Sequence, residues 1–128
     1  MAQNGSACGF DTSGIGLTDA ERLDAYRVAL EAHGCVTALS LDAHRILRDQ
    51  LERSSLSALL NLAEGAGRRS RRDKRRHYAI ARGSAMECAA GLAAVRMRGL
   101  ANETDVERAH RSIVRVIQML SKLDRAMA

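Results

Sequence analysis

The chain has 128 residues, a formal net charge of +5, no proline or tryptophan, one phenylalanine and two tyrosines. That length makes one domain able to bury a sizeable core, and the dearth of aromatic residues argues against a sheet-rich architecture and for an all-α fold. Between Arg68 and Arg76 lie seven cations and one acid, Asp73, so this run carries +6 and the remainder of the chain −1, a local basicity that points to a polyanion rather than to a diffusely charged surface.

Residues 1–17 are rich in Gly, Ser, Asn and Asp and read as a flexible tail ahead of a domain spanning 18–128. Thr18 and Glu21 have the spacing of a capping box, which opens a first helix over residues 19–38. Its apolar positions are Leu23, Tyr26, Leu30, His33 and Thr37, with Ala25, Ala29, Ala32 and Val36 as an adjacent stripe of small residues. Ser40 or Asp42 is expected to cap a second helix over residues 43–66, whose apolar face holds Leu47, Leu51, Ala58 and Leu62, flanked by Leu56, Leu59, Leu60 and Ala63.

Gly65 and Gly67 end that helix, and Ser70 is placed to cap the third, with Asp73 supporting its exposed N–H groups. Tyr78, Ala81, Ala85, Cys88, Leu92 and Val95 then step by three and four residues as far as Gly99, the expected stop. Asn102 or Thr104 caps a fourth helix in which Val106, Ala109, Ile113, Val116, Leu120, Leu123 and Met127 repeat the same spacing, a bundle seam. Four helices joined by short connections predict an antiparallel up-down-up-down four-helix bundle. Apolar residues outside the seams, such as Leu59, Leu60, Ile117 and Met119, are expected in part to face a second subunit.

The basic run falls in the turn before the third helix and in its first turns, where the positive end of the macrodipole disfavours cations. Phosphate answers that conflict, because guanidinium forks and helix-end N–H groups act on it together. Arg68, Arg69, Arg71, Arg72, Lys74, Arg75, Arg76 and Arg82 are the expected nucleic-acid-binding residues, with His77 beside them. Only Tyr78 is aromatic nearby, so backbone-driven, sequence-tolerant binding to structured RNA or DNA is expected rather than base stacking.

Asn61 with Glu64 and Ser84 with Glu87 are i, i+3 pairs near the glycine turn. They are expected to form a structural polar cluster, with Gly83 allowing close helix packing, in preference to a catalytic or metal-binding carboxylate pair. Glu107 and His110 supply one of the two Glu-x-x-His pairs that a di-iron bundle requires besides two further glutamates, and the other histidines form no second pair, so neither metal nor cofactor is expected. Cys88 lies on the apolar seam, away from any base that would activate it, and no enzymatic constellation is present. Cys8, Cys35 and Cys88 form no CxxC pair and fit a reducing compartment. The chain shows neither an apolar run of the ~20 residues that span a bilayer nor a secretion signal; the expected location is cytoplasmic, with no membrane contact.

The phrase NLAEGAGRRS, followed by ARGSAMEC (Ala81 to Cys88), resembles a family of bacterial four-helix-bundle proteins first noticed in intervening sequences of large-subunit ribosomal RNA genes. That family is related to the accessory variability determinant of diversity-generating retroelements. Asn61, Ala63, Glu64, Gly65, Gly83, Ser84 and Glu87 carry the resemblance, Gln50-Leu51 and Ala25-Tyr26 extend it, and it spans about Leu23 to Leu123. The chain departs from the family pattern in lacking a proline between the first two helices and in having Leu59-Leu60 before the asparagine. The resemblance implies a homo-oligomer, a ring pentamer in known members, with a basic surface that binds nucleic acid; in the retroelement branch the partners are a reverse transcriptase and its RNA. The residues leave a second reading open, a homo-oligomeric protein-interaction scaffold whose arginines pair with carboxylates.

Overall fold

The computed structural model describes residues 23–128, which form four α-helices and, among the described residues, no strand: α1 (Asp24–Thr37), α2 (Arg45–Gly67), α3 (Arg71–Arg98) and α4 (Glu103–Met127). The expected tail and the Thr18–Glu21 capping box lie outside the described residues. Each helix packs on the next in sequence, and α1 also packs on α4. Leu51 meets Gly91, Ser57 meets Ser84 and Asn61 meets His77, so α2 and α3 run antiparallel. Arg82 to Ser121 and Arg75 to Asp124 give the same sense for α3 and α4.

The three-four spacing of α3 becomes its buried face without exception, from Tyr78 through Ala81, Ala85, Cys88 and Leu92 to Val95. In α4 the seam is buried from Val106 to Leu120, and Leu123 and Met127 are half-buried at its C-terminal end. Leu51, Leu62, Leu92, Ile113 and Leu120 are fully enclosed; each contributes about 1.5–3 kcal/mol relative to exposure. Ser70 Oγ accepts from the Asp73 N–H at 3.0 Å, and Asn102 Oδ1, not Thr104, accepts from the Asp105 N–H at 3.0 Å. Gly99 stops α3 at φ 61°, and it and Leu100 donate to the carbonyls of Arg96 and Val95.

Two expectations are corrected. In α1 the small stripe is the core: Ala25, Ala29, Ala32, Cys35 and Val36 are buried, whereas Leu23, Tyr26 and Leu30 are half-buried at its border and Thr37 is exposed. The methyl groups let α1 settle closely between α2 and α4, and the bulkier residues splay to the sides. In α2 neither Ser40 nor Asp42 caps the helix. The N-cap position is His44, which makes no side-chain cap, because Leu39 and Leu41 plug the core and set the chain's path past Asp42. The Asp42 carboxylate instead accepts from Arg48 at 3.3 Å.

Candidate nucleic-acid interface

The α2–α3 turn is pinned from beneath. A Cβ on Gly65 would lie 2.7 Å from Tyr78 Cε1 and 3.1 Å from His77 Cβ, so only glycine lets the first turns of α3 lie against the end of α2. That approach spreads Arg68–Arg76 across the junction. Gly83, by contrast, is exposed with nothing within 4 Å of an added Cβ, so it does not serve helix packing within the chain; Gly91, with Leu51 Cδ2 at 2.7 Å, does.

The structure divides the cations. Lys74 turns inward, and its Nζ donates to the carbonyls of Ala66 at 2.9 Å and Gly65 at 3.3 Å. It thereby satisfies the C-terminal end of α2, where a cation suits the dipole. Arg68 pairs with Glu64, one turn back. Arg75 donates through Nε and Nη2 to one oxygen of Asp124 at 3.1 and 3.0 Å. Arg82 donates through Nε to Ser121 Oγ at 2.8 Å. Arg69, Arg71, Arg72 and Arg76 are exposed, and no group among the described residues holds their guanidinium ions. These four stand at the positive end of α3, three of them within its first two turns, where they repel the dipole and one another.

The polar residues beside the turn are joined differently from the expected cluster. Asn61 Nδ2 donates to the Ser57 carbonyl at 2.9 Å, and Asn61 Oδ1 lies 3.3 Å from His77 Nδ1. Ser57 and Ser84 share a hydrogen bond at 2.8 Å. Glu64 belongs to Arg68, and Glu87 is exposed without a hydrogen-bond partner among the described residues. Ser57 and His77 are therefore the members that sequence reasoning missed; the i, i+4 spacing of Ser57 and Asn61 was the available signal. His77 is buried, with Nε2 unpartnered, which removes it from any phosphate-facing surface.

No group of three or more His, Cys, Asp or Glu residues suited to a metal occurs among the described residues. Glu107 accepts from Arg111 at 3.2 Å. Burial is the main cause that pushes the Cys88 thiol up to about 11, with nearby Glu87 adding to the rise and a hydrogen bond to Ser54 opposing it. At neutral pH it remains a protonated thiol in the core.

The outward sides of α2 and α3 carry exposed apolar groups. Leu60 is 56% exposed, and Leu56, Ile80 and Met86 each 40–48%. The positions two residues beyond the α3 seam, and so on its opposite side, are Ile80, Gly83, Glu87, Ala90, Ala94 and Met97, all exposed. Leu59 is buried, and Ile117 and Met119 are half-buried against the core. The uncovered apolar surface is thus on α2 and α3 rather than on α2 and α4. No helix among the described residues is long and apolar enough to cross a membrane.

A family model described as 23S rRNA-intervening sequence protein matches residues 22–122, a span that contains all four helices but the last five residues of α4. A search of curated proteins finds no match to the chain.

Proposed function

The chain belongs to the 23S rRNA-intervening sequence protein family, and from that premise we propose that it is a non-enzymatic, homo-oligomeric accessory protein that binds the phosphate backbone of RNA or DNA. The observation that carries this reading is the group of four arginines at the start of α3, Arg69, Arg71, Arg72 and Arg76, which nothing within the described residues neutralises. The up-down-up-down bundle assembles through the apolar outward side of α2 and α3. A soluble protein rarely leaves such a face bare, and the vacant space over Gly83 admits the helix of a second copy. A ring, a pentamer in its narrowest form, multiplies the arginine cluster, and a reverse transcriptase with its RNA is the narrowest form of the partner.

The test replaces Arg69, Arg71, Arg72 and Arg76 with Gln and follows fluorescence anisotropy of a 30-base-pair RNA duplex across a salt series. Loss of four phosphate contacts lowers the slope of log K against log salt by up to about 3.6, with the far-UV spectrum unchanged. Equal affinity and equal slope in the variant would remove the reading. The exposed Leu56, Leu60, Ile80 and Met86 also favour the scaffold reading, in which assembly is the whole function. Light scattering that gives an oligomer, together with protein that neither carries nor binds nucleic acid at low salt, would select it.

A further inference from the structure

The seam of α4 has a counterpart on its other side. Two residues beyond each seam position stand Arg108, Arg111, Arg115, Gln118, Lys122 and Arg125, all exposed. A two-residue step turns about 200° around a helix, so this row lies opposite the core. It spans about 26 Å, with Arg108, Arg115 and Lys122 recurring every ~10.5 Å. The row contains no acid. Glu103, Asp105 and Glu107 are confined to the first turns, Glu107 is paired with Arg111, and Asp124 is held by Arg75. The same two-residue step on the other helices gives mixed or uncharged rows: Arg27 and Glu31 on α1, Arg53 and Glu64 on α2, and on α3 a single acid, Glu87.

We propose that the outer face of α4 is a second nucleic-acid contact surface, a straight cationic track for the backbone of a double-stranded nucleic acid, continuous with the arginine cluster at the α2–α3 turn. This rests on the nucleic-acid reading above and adds where the duplex runs and what form it takes. Like charges at i, i+3 and i, i+4, such as Arg108–Arg111, Arg111–Arg115 and Lys122–Arg125, weaken a helix; beyond the Arg111–Glu107 pair and the placement of Arg125 in the last turn, the row adds little to the helix itself. Its charge complements a line of phosphates. Continuity comes from α3. Arg75 neutralises Asp124, the acid that flanks the end of the row, and Ser121 holds Arg82 against α4. Among the described residues no aromatic ring lies on the track, since Tyr78 is buried in the core and Tyr26 is half-buried on α1. A single strand would therefore gain no stacking, whereas a duplex, its bases already stacked, offers a line of phosphates on its outer surface. A track of this length faces about eight base pairs at 3.4 Å each.

The test changes Arg108, Arg115, Lys122 and Arg125 to Gln; none of these side chains has a partner among the described residues. Expected are at least tenfold weaker binding of the 30-base-pair RNA duplex at 0.15 M salt, a slope lowered by up to about 3.6, and a far-UV spectrum equal to that of the parent. Lysine acylation of the unaltered protein gives a second readout, because its only lysines are Lys74 and Lys122, one at the turn and one on the track. Bound duplex protects Lys122. If the α4 variant binds like the parent, or Lys122 stays reactive in the complex, the track is overturned, and the turn-arginine variant still decides the broader reading. If the unaltered protein ignores the duplex at low salt, both fall.

Discussion

The two junctions that flank α3 are built alike and charged differently. Each has a glycine where one helix stops and a side-chain cap where the next begins, Gly65 and Gly67 with Ser70 on one side and Gly99 with Asn102 on the other. At the α3–α4 junction the charges follow the macrodipoles, with Arg96 and Arg98 ending α3 and Glu103 and Asp105 opening α4. At the α2–α3 junction Arg71 and Arg72 open a helix, against the dipole. One junction is arranged for its own stability. The other uses Lys74, Arg68 and Arg75 in its own fold but leaves Arg69, Arg71, Arg72 and Arg76 without a partner among the described residues, as the proposed anion-binding surface requires.

Inverting the anomalous junction has the largest expected effect. With Arg71 and Arg72 both changed to Glu, the start of α3 obeys the dipole, and each change stabilises the helix by about 0.3–1 kcal/mol. Duplex binding falls by at least tenfold in the same protein. Thermal melting and anisotropy on one preparation check both; a variant that melts lower, or that binds as well, breaks the contrast between the junctions.

The glycines sharpen the contrast, because they are required for different reasons. Gly65→Ala drives a methyl group into the Tyr78 ring and costs about 1–3 kcal/mol of stability. It also loosens the platform under the arginines, so duplex binding weakens with it. Gly99→Ala forces a side chain into the left-handed region, costs about 1–2 kcal/mol, and leaves binding unchanged. Denaturant titration and anisotropy separate the two outcomes; loss of binding in the Gly99 variant would show that the α2–α3 junction has no special standing.

The seams of α3 and α4, the Ser70 cap and the Gly99 stop were legible because each depends on neighbours within one or two turns. Asn102 was legible to within a choice of two. The α1 face was misread because alanine contributes little hydrophobicity per residue, although its size is what permits the closest helix approach. Glycines look alike in sequence, yet Gly83 faces open space while Gly65 and Gly91 lie under side chains from another helix. The division of the basic run was hidden for the same reason. Arg75 is held by Asp124, 49 residues away, and Lys74 reaches back to carbonyls of α2, contacts that only the helix pairing creates. The row on α4 was present in the spacing but overshadowed by the denser run before it.

The smallest effect comes from the caps. Ser70→Ala and Asn102→Ala each remove one acceptor for a helix-end N–H, and each costs about 1 kcal/mol. The two variants should respond oppositely to salt. At Asn102 the flanking acids already favour the helix end, and salt screens that help, so the variant gains no recovery. At Ser70 the flanking arginines outnumber Asp73 and oppose the helix end, so salt relieves the repulsion and the Ser70 variant gains stability. Denaturant midpoints measured at low and high ionic strength read the difference directly. Parallel salt responses would mean that Arg71 and Arg72 disperse their charge into water without straining the start of α3, and the two junctions would then differ in sequence but not in energy.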